Sequence, residues 1–233
     1  MKQILLILSL LFSFSAFSQD FSIGIRAGLG DYSMDLLSQF QQYRTSQSQL
    51  PLKITESYPI TPFYRAEVAF NDIPFIEKMA VFYGYYSTGA RSTVSDYSGR
   101  VDLDAVINGN QMGLTIQKEF LREGFMSLGG YVDGSYLLTE LKTKDFLEIT
   151  YPEKFTEKED YSLVASGFAL EPGLELNYRL DLLVFQINWG YLIDFSKELH
   201  LKDNKEMMLG VNNQPVTPQW SGLRFGLQIS YLF

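Results

Sequence analysis

The chain contains no cysteine, which excludes disulfides, thiolate metal sites and lipidation at a leader cysteine. Its only histidine is His200, so an imidazole-based transition-metal centre lacks donors. No stretch approaches the roughly 20 consecutive apolar residues that a membrane-spanning helix needs, and a helical membrane protein is excluded. Positive charge is scarce: 19 Lys and Arg stand against 27 Asp and Glu. That balance argues against nucleic acid or another polyanion as the main partner. No glycine-rich loop follows a strand and opens a helix, so nucleotide chemistry has no support, and no cofactor is expected.

The beginning of the sequence points to export. Lys2 is followed by an apolar run from Ile4 to Phe14, broken only by Ser9 and Ser13, and then by the small-x-small triplet Ala16-Phe17-Ser18. This pattern predicts a signal peptide over 1–18, cleaved after Ser18, and one domain over 19–233. Without Lys2, 18 basic residues face 27 acidic ones, a formal charge of −9 for the mature chain. An exported chain without disulfides must draw its stability from hydrogen-bonded ladders or a large core.

Wherever the chain is apolar, the period is two. In 21–30, Phe21, Ile23, Ile25, Ala27 and Leu29 alternate with Ser22, Gly24, Arg26, Gly28 and Gly30. Similar alternation places strands at 62–70, 105–120, 125–140, 162–179, 182–195 and 221–233. The strand at 78–89 is apolar on both faces; turning Gly84 inward sends Val81, Tyr83 and Tyr85 outward. Connections at Asn71–Glu77, Leu121–Gly124 and Leu180-Asp181 are short, whereas 31–61, 90–104, 141–161 and 196–220 are long and polar. Met34, Leu37, Phe40 and Tyr43 have the spacing of a brief helix in the first long connection. Alternating long and short connections suit an all-β fold. The expected architecture is an eight-stranded antiparallel up-and-down transmembrane β-barrel, with four long extracellular loops, three short periplasmic turns and both termini on the periplasmic side.

The chemistry of the two faces assigns their solvent. The polar face is rich in Gly and carries few charges, unlike a solvated sheet face. The other face is Leu, Ile, Phe, Tyr and Trp, and closure removes edges that lipid does not tolerate. Tyr64, Tyr136, Tyr178, Trp189, Tyr191, Trp220 and Tyr231 are expected in aromatic girdles at the membrane interfaces.

Three segments carry a family resemblance: Phe21-Ser22-Ile23-Gly24-Ile25-Arg26-Ala27-Gly28, Tyr83 to Gly89, and Gly222 to Phe233. With them the mature chain resembles the small outer-membrane β-barrel proteins of Bacteroidota, the outer-membrane protein β-barrel domain family often called PorT-like. The resemblance implies residence in the bacterial outer membrane, but it brings no shared activity. Ile229, Tyr231 and Phe233 resemble the C-terminal signal read by the barrel-assembly machinery.

The candidate site is the expected barrel interior, where Arg26, Arg65, Glu67, Asp133, Glu171, Glu175 and Arg224 would form a charge network. Eight strands leave room for side chains and little else, so these charges are expected to pair and plug the lumen. Ser196, Glu198, His200 and Asp203 lie close in sequence, but a catalytic triad needs its base held rigidly against the nucleophile. Glu157-Lys158-Glu159-Asp160 lacks the spacing of a calcium loop. The sequence therefore leads to a non-enzymatic, monomeric outer-membrane barrel with a structural or surface-interaction role. Its expected partners are outer-membrane lipid, the assembly machinery and envelope or secretion proteins. The alternatives are a small-solute or ion conduit, an accessory part of a secretion system, or an outer-leaflet lipid-modifying enzyme.

Overall fold

Alternating stretches become extended backbone, and strands run well beyond the limits that apolar content alone suggests. The structure, a computed structural model, describes residues 21–48, 50–73, 75–150, 154–212 and 214–233; the expected leader at 1–18 lies outside the described residues. Among the described residues the chain is nearly all β, with thirteen strands and one helix rather than eight strands. Eight strands are long: β1 (Phe21–Tyr32), β3 (Thr61–Ile73), β4 (Ile76–Asp96), β5 (Gly99–Glu123), β6 (Met126–Ile149), β7 (Phe155–Leu180), β8 (Leu183–Asp194) and β13 (Gly222–Leu232). The other five are β2 (Lys53–Ser57), β9 (His200–Leu201), β10 (Asn204–Met208), β11 (Gly210–Val211) and β12 (Gln214–Pro215). They lie in segments expected to be loops.

The long strands pair antiparallel in succession, β1–β3–β4–β5–β6–β7–β8–β13, and β13 pairs back onto β1. At one end the links are tight: Phe75, Gly124 and Asp181 sit in the turns with φ of 70°, 58° and 50°. That left-handed backbone suits short hairpin connections.

At the other end the expected loops 90–104 and 141–161 are corrected. They are mostly the outer halves of β4, β5, β6 and β7, which have 21, 25, 24 and 26 residues against 11 to 13 for β1, β3, β8 and β13. Inward Leu103, Leu141, Thr143 and Leu163 continue the alternation there, while outward Asp104, Lys142 and Lys144 make the stretch read as polar.

This upper half, the crown, contains the apolar core. Tyr32, Leu37, Phe40, Tyr58, Tyr86, Ile107, Leu137, Leu141, Leu163, Leu192, Leu199, Val211, Val216 and Trp220 are buried together. The helix α1 (Asp35–Gln47) buries Leu37, Phe40 and Gln41, one stripe at helical spacing. Gln41 Nε2 donates to Ser92 Oγ at 2.8 Å and to the Leu103 carbonyl at 2.9 Å. Arg44, in the last turn where a cation complements the helix dipole, pairs with Asp145 of β6. Trp220, expected in an outer girdle, is 0% exposed. Its Nε1 donates to Thr139 Oγ1 at 3.0 Å, and its ring meets Tyr32 and Tyr86 at 5.2 and 4.5 Å. Its even parity, shared with inward Arg224, puts it inside.

Candidate functional site: the charged interior

Below the crown the two faces exchange character. Ile25, Leu114 and Leu227 point outward, 67%, 54% and 56% exposed, whereas Asp133 is fully buried. On β4, Val81, Tyr83 and Tyr85 face outward and Gly84 inward. Each inward face is shaped by small residues that make room for large ones. Gly173 and Gly190 lie where an added Cβ would overlap Tyr131, and Gly28 does the same for Phe63. Glycine on these strands therefore seats inward aromatic rings, which offsets its poor strand propensity.

Arg26, Arg65, Glu67, Asp133, Glu171, Glu175 and Arg224 are all buried, and most join directly. Arg65 on β3 pairs with Asp133 on β6 and with Glu67, the latter at 2.9 Å. Thr115 Oγ1 donates to Asp133 at 2.6 Å. Arg224 on β13 reaches Glu171 on β7 at 2.9 Å, Gln111 on β5 at 3.1 Å and the Tyr32 hydroxyl at 3.0 Å. Tyr131 donates to Glu171 at 2.9 Å. Gln228 accepts from Arg26 Nε at 2.9 Å and donates to Glu67 at 2.7 Å, linking those two groups. Arg26 and Glu175 make no direct ion pair among the described residues; Glu175 accepts from Asn177 at 3.2 Å. Aromatic faces cover three of the cations: Arg26 lies 5.2 Å from the Tyr131 centroid, Arg65 lies 3.7 Å from that of Phe82, and Arg224 lies 4.6 and 4.8 Å from Tyr86 and Phe63.

Lys78 belongs to this network and was missed by the sequence reading. It is buried and paired with Glu67. The signal was present, because Lys78 shares the even parity of inward Gly84, but the strand's two apolar faces hid it. With Lys78, the lower interior has, among the described residues, four buried cations, Arg26, Arg65, Lys78 and Arg224, facing four buried carboxylates, Glu67, Asp133, Glu171 and Glu175. Buried charges are tolerated only when compensated in this way. At the end with the tight turns, a cavity of about 270 Å³ opens below the network, lined by Ser22, Lys78, Gln117, Ser127, Asn177 and Gln186, among others.

The remaining sequence candidates fall elsewhere. Ile229, Tyr231 and Phe233 point outward from β13; Phe233 N donates to the Phe21 carbonyl at 2.8 Å, and its ring meets Phe21 at 5.5 Å and Tyr231 at 4.9 Å. His200 Nδ1 contacts the Glu198 carbonyl at 3.5 Å, while the buried Ser196 Oγ has no hydrogen-bond partner among the described residues. The two are not joined as base and nucleophile. Glu157–Asp160 lie along β7.

No family model and no curated protein matches the chain. Among solved structures, two crystal structures of Ail, the attachment invasion locus protein of Yersinia pestis, align with 93% of this chain and 100% of theirs at 12% identity. Their TM-scores are 0.36, for the complex with the heparin analogue sucrose octasulfate, and 0.34.

Proposed function

We propose that the chain is a non-enzymatic bacterial outer-membrane protein whose eight long strands form a closed, side-chain-plugged transmembrane barrel. One observation carries this reading: below the crown, a broad outward face of Leu, Ile, Val, Phe, Tyr and Trp surrounds an interior of paired, buried charges. Water as the outer solvent would strongly disfavour that arrangement, whereas lipid favours it. Tyr83 donates to Asn110 at 2.6 Å and Tyr85 to Asn108 at 3.1 Å on the outward surface. Rings with a polar handle suit the upper membrane interface. In this reading the crown faces outside and the tight turns face the periplasm. Outward Ile229, Tyr231 and Phe233 serve recognition by the assembly machinery.

The role is structural or one of surface interaction, performed by a monomer whose crown is presented to the exterior. A conduit is less well supported, because the charged layer and the apolar crown lie in series above the 270 Å³ cavity. The test is single-channel conductance of the refolded mature chain in a planar bilayer, with heat-modifiable gel migration measured on the same sample. Heat-modifiable migration without steady conductance is expected. Ion-selective steps abolished by changing Arg26, Arg65 or Arg224 would overturn the plugged interior, and migration unaffected by heat would overturn the barrel.

A further inference from the structure

The mouth of the cavity below the charged layer is built from all three tight connections. Glu77 follows the first, Gly124 and Phe125 form the second, and Arg179 precedes the third. Arg179 N donates to the Phe125 carbonyl at 2.8 Å, which ties the second connection to the end of β7 at the rim. Phe125 is 70% exposed there. The charged layer closes the cavity above. Its volume of about 270 Å³ lies just under the roughly 300–1,000 Å³ of sites for drug-sized ligands, which suits a molecule of about a dozen non-hydrogen atoms.

Inside, the wall carries hydrogen-bonding capacity that the protein leaves unused. Gln117 points inward from β5 and is 4% exposed, yet its carboxamide has no hydrogen-bond partner among the described residues. Gln186 Nε2 donates to Asn177 Oδ1 at 2.7 Å, while the buried Gln186 Oε1 has no partner there. Ser22 and Ser230 accept from Asn71 at 3.2 Å and from Gln228 at 2.9 Å, and neither hydroxyl donates to a described residue. All four line this one cavity, although buried polar groups are normally paired. Charge, by contrast, is already compensated. Lys78 is paired with Glu67, and Arg122 with Glu77 at 3.2 Å and Glu119 at 2.6 Å. Arg179, exposed at the rim, donates to the Asp181 carbonyl at 3.4 Å. With it, Lys78, Arg122 and Arg179 stand against Glu67, Glu77 and Glu119, and no net charge is left to select an ion.

We propose that this cavity binds one neutral pyranose sugar, its hydroxyls toward Gln117, Gln186, Ser22 and Ser230 and its C–H face against the Phe125 ring. The unused groups include both donors and acceptors, and a sugar hydroxyl is both at once. The weakly positive C–H side of a pyranose complements the negative face of an aromatic ring, and Val184 and Leu232 extend the apolar side of the wall. An apolar molecule of the same size would leave the carboxamides unpaired, at a cost. The site follows from the cavity itself; only its placement on the periplasmic side rests on the transmembrane reading above.

The test is an NMR titration of the mature chain, refolded in dodecylphosphocholine micelles, with methyl β-glucopyranoside. Folding is checked by heat-modifiable migration. Saturable shifts of the Gln117 and Gln186 side-chain amides are expected, with a dissociation constant of about a millimolar. Gln117→Leu gives up no bond to the protein, so the chain still folds but binds roughly tenfold more weakly. Phe125→Ser weakens binding roughly fivefold, whereas Tyr97→Ser, an exposed ring in the β4–β5 turn at the opposite end, leaves it unchanged. A linear glucan hexamer that binds as tightly as the glucoside identifies the end of a glycan chain as the source; one that does not bind identifies a free monosaccharide. Three results would overturn the site while leaving the barrel standing: no saturable shift, as for a cavity that holds only water; equal binding of cyclohexanol; or tighter binding of glucose 6-phosphate. Migration unaffected by heat would overturn the barrel, and the cavity with it.

Discussion

Along β6 the same backbone serves two opposite regimes. Near the tight turns its outward residues are Leu128, Val132 and Tyr136, and its inward ones include Asp133 and Ser135. Ten residues further on, outward Glu140, Lys142 and Lys144 alternate with inward Leu137, Leu141 and Thr143. Strand geometry is constant; the chemistry of the outward face differs. The lower wall is held by cross-lumen charge pairs and by its exposed apolar face, the crown by a hydrophobic core like that of a soluble protein. Stability in the two regions therefore rests on different forces, and substitutions distinguish them.

The largest expected effect is in the lower interior. Arg224→Ala strands Glu171 without its cation and should cost about 3–5 kcal/mol, read as a lower urea midpoint of the bilayer-inserted protein. Replacing the pair together, Arg224→Met with Glu171→Leu, should recover most of the loss; failure to recover would show that shape, rather than charge, holds this layer. Trp220→Ala should cost a comparable ~3–5 kcal/mol, but locally. Proteolytic cleavage within 196–220 is expected to rise while heat-modifiable migration stays intact. If migration were lost as well, the crown and the wall would be one cooperative unit.

A smaller contrast comes from one outward face. Leu114→Arg should destabilise the inserted protein by about 2–4 kcal/mol if it lies near mid-membrane, whereas Val106→Arg, eight residues higher on β5, should stay within about 0.5 kcal/mol. Equal costs would erase the boundary between the regions.

The smallest effect is a pH response confined to the crown. The Ser98 hydroxyl and backbone hold Asp96 below the ordinary carboxylate range, and the Ser162 hydroxyl does the same for Glu140. Burial pushes Asp102 up, but hydrogen bonds from Thr93 and Arg100 outweigh it and hold its carboxyl low. Carboxylates lowered by folding stabilise it fully above their unfolded values, near 4. That contribution disappears as pH falls through the folded values. Amide exchange in 90–104 and 140–162, corrected for intrinsic rates, should therefore rise at acid pH before exchange in the lower strands does.

How much of this was legible in the sequence follows from the same contrast. Period two revealed the wall because its outward residues are strongly apolar, and one parity rule assigned Arg26, Arg65 and Asp133 to the interior. The crown was misread because the alternation there inverts: Leu141-Lys142-Thr143-Lys144 is still a strand, yet its polar content resembles a loop. Counting parity back from Arg224 would have placed Trp220 inside, and counting back from Gly84 would have placed Lys78 there. The helix was anticipated at 34–43 and extends to Gln47, carried by Arg44 and its Asp145 partner, which no local pattern reveals. Pairings that cross the lumen, such as Arg224 with Glu171, depend on strand order around the whole circuit and leave no signature in local spacing.

The β1–β13 pairing has a consequence in time as well as in space. Its eleven registered positions, from Ser22 with Leu232 to Tyr32 with Gly222, join opposite ends of the sequence. Every intervening strand can zip to its predecessor as it arrives, but this seam must wait for the last, and such distant pairing is inherently slow. Until then β1 and β13 each present an unpaired edge, and on the transmembrane reading proposed above those bare amides and carbonyls are costly. A lesion in β13 is therefore expected to prevent closure altogether, read as loss of the heat-modifiable form, rather than merely to weaken the finished protein.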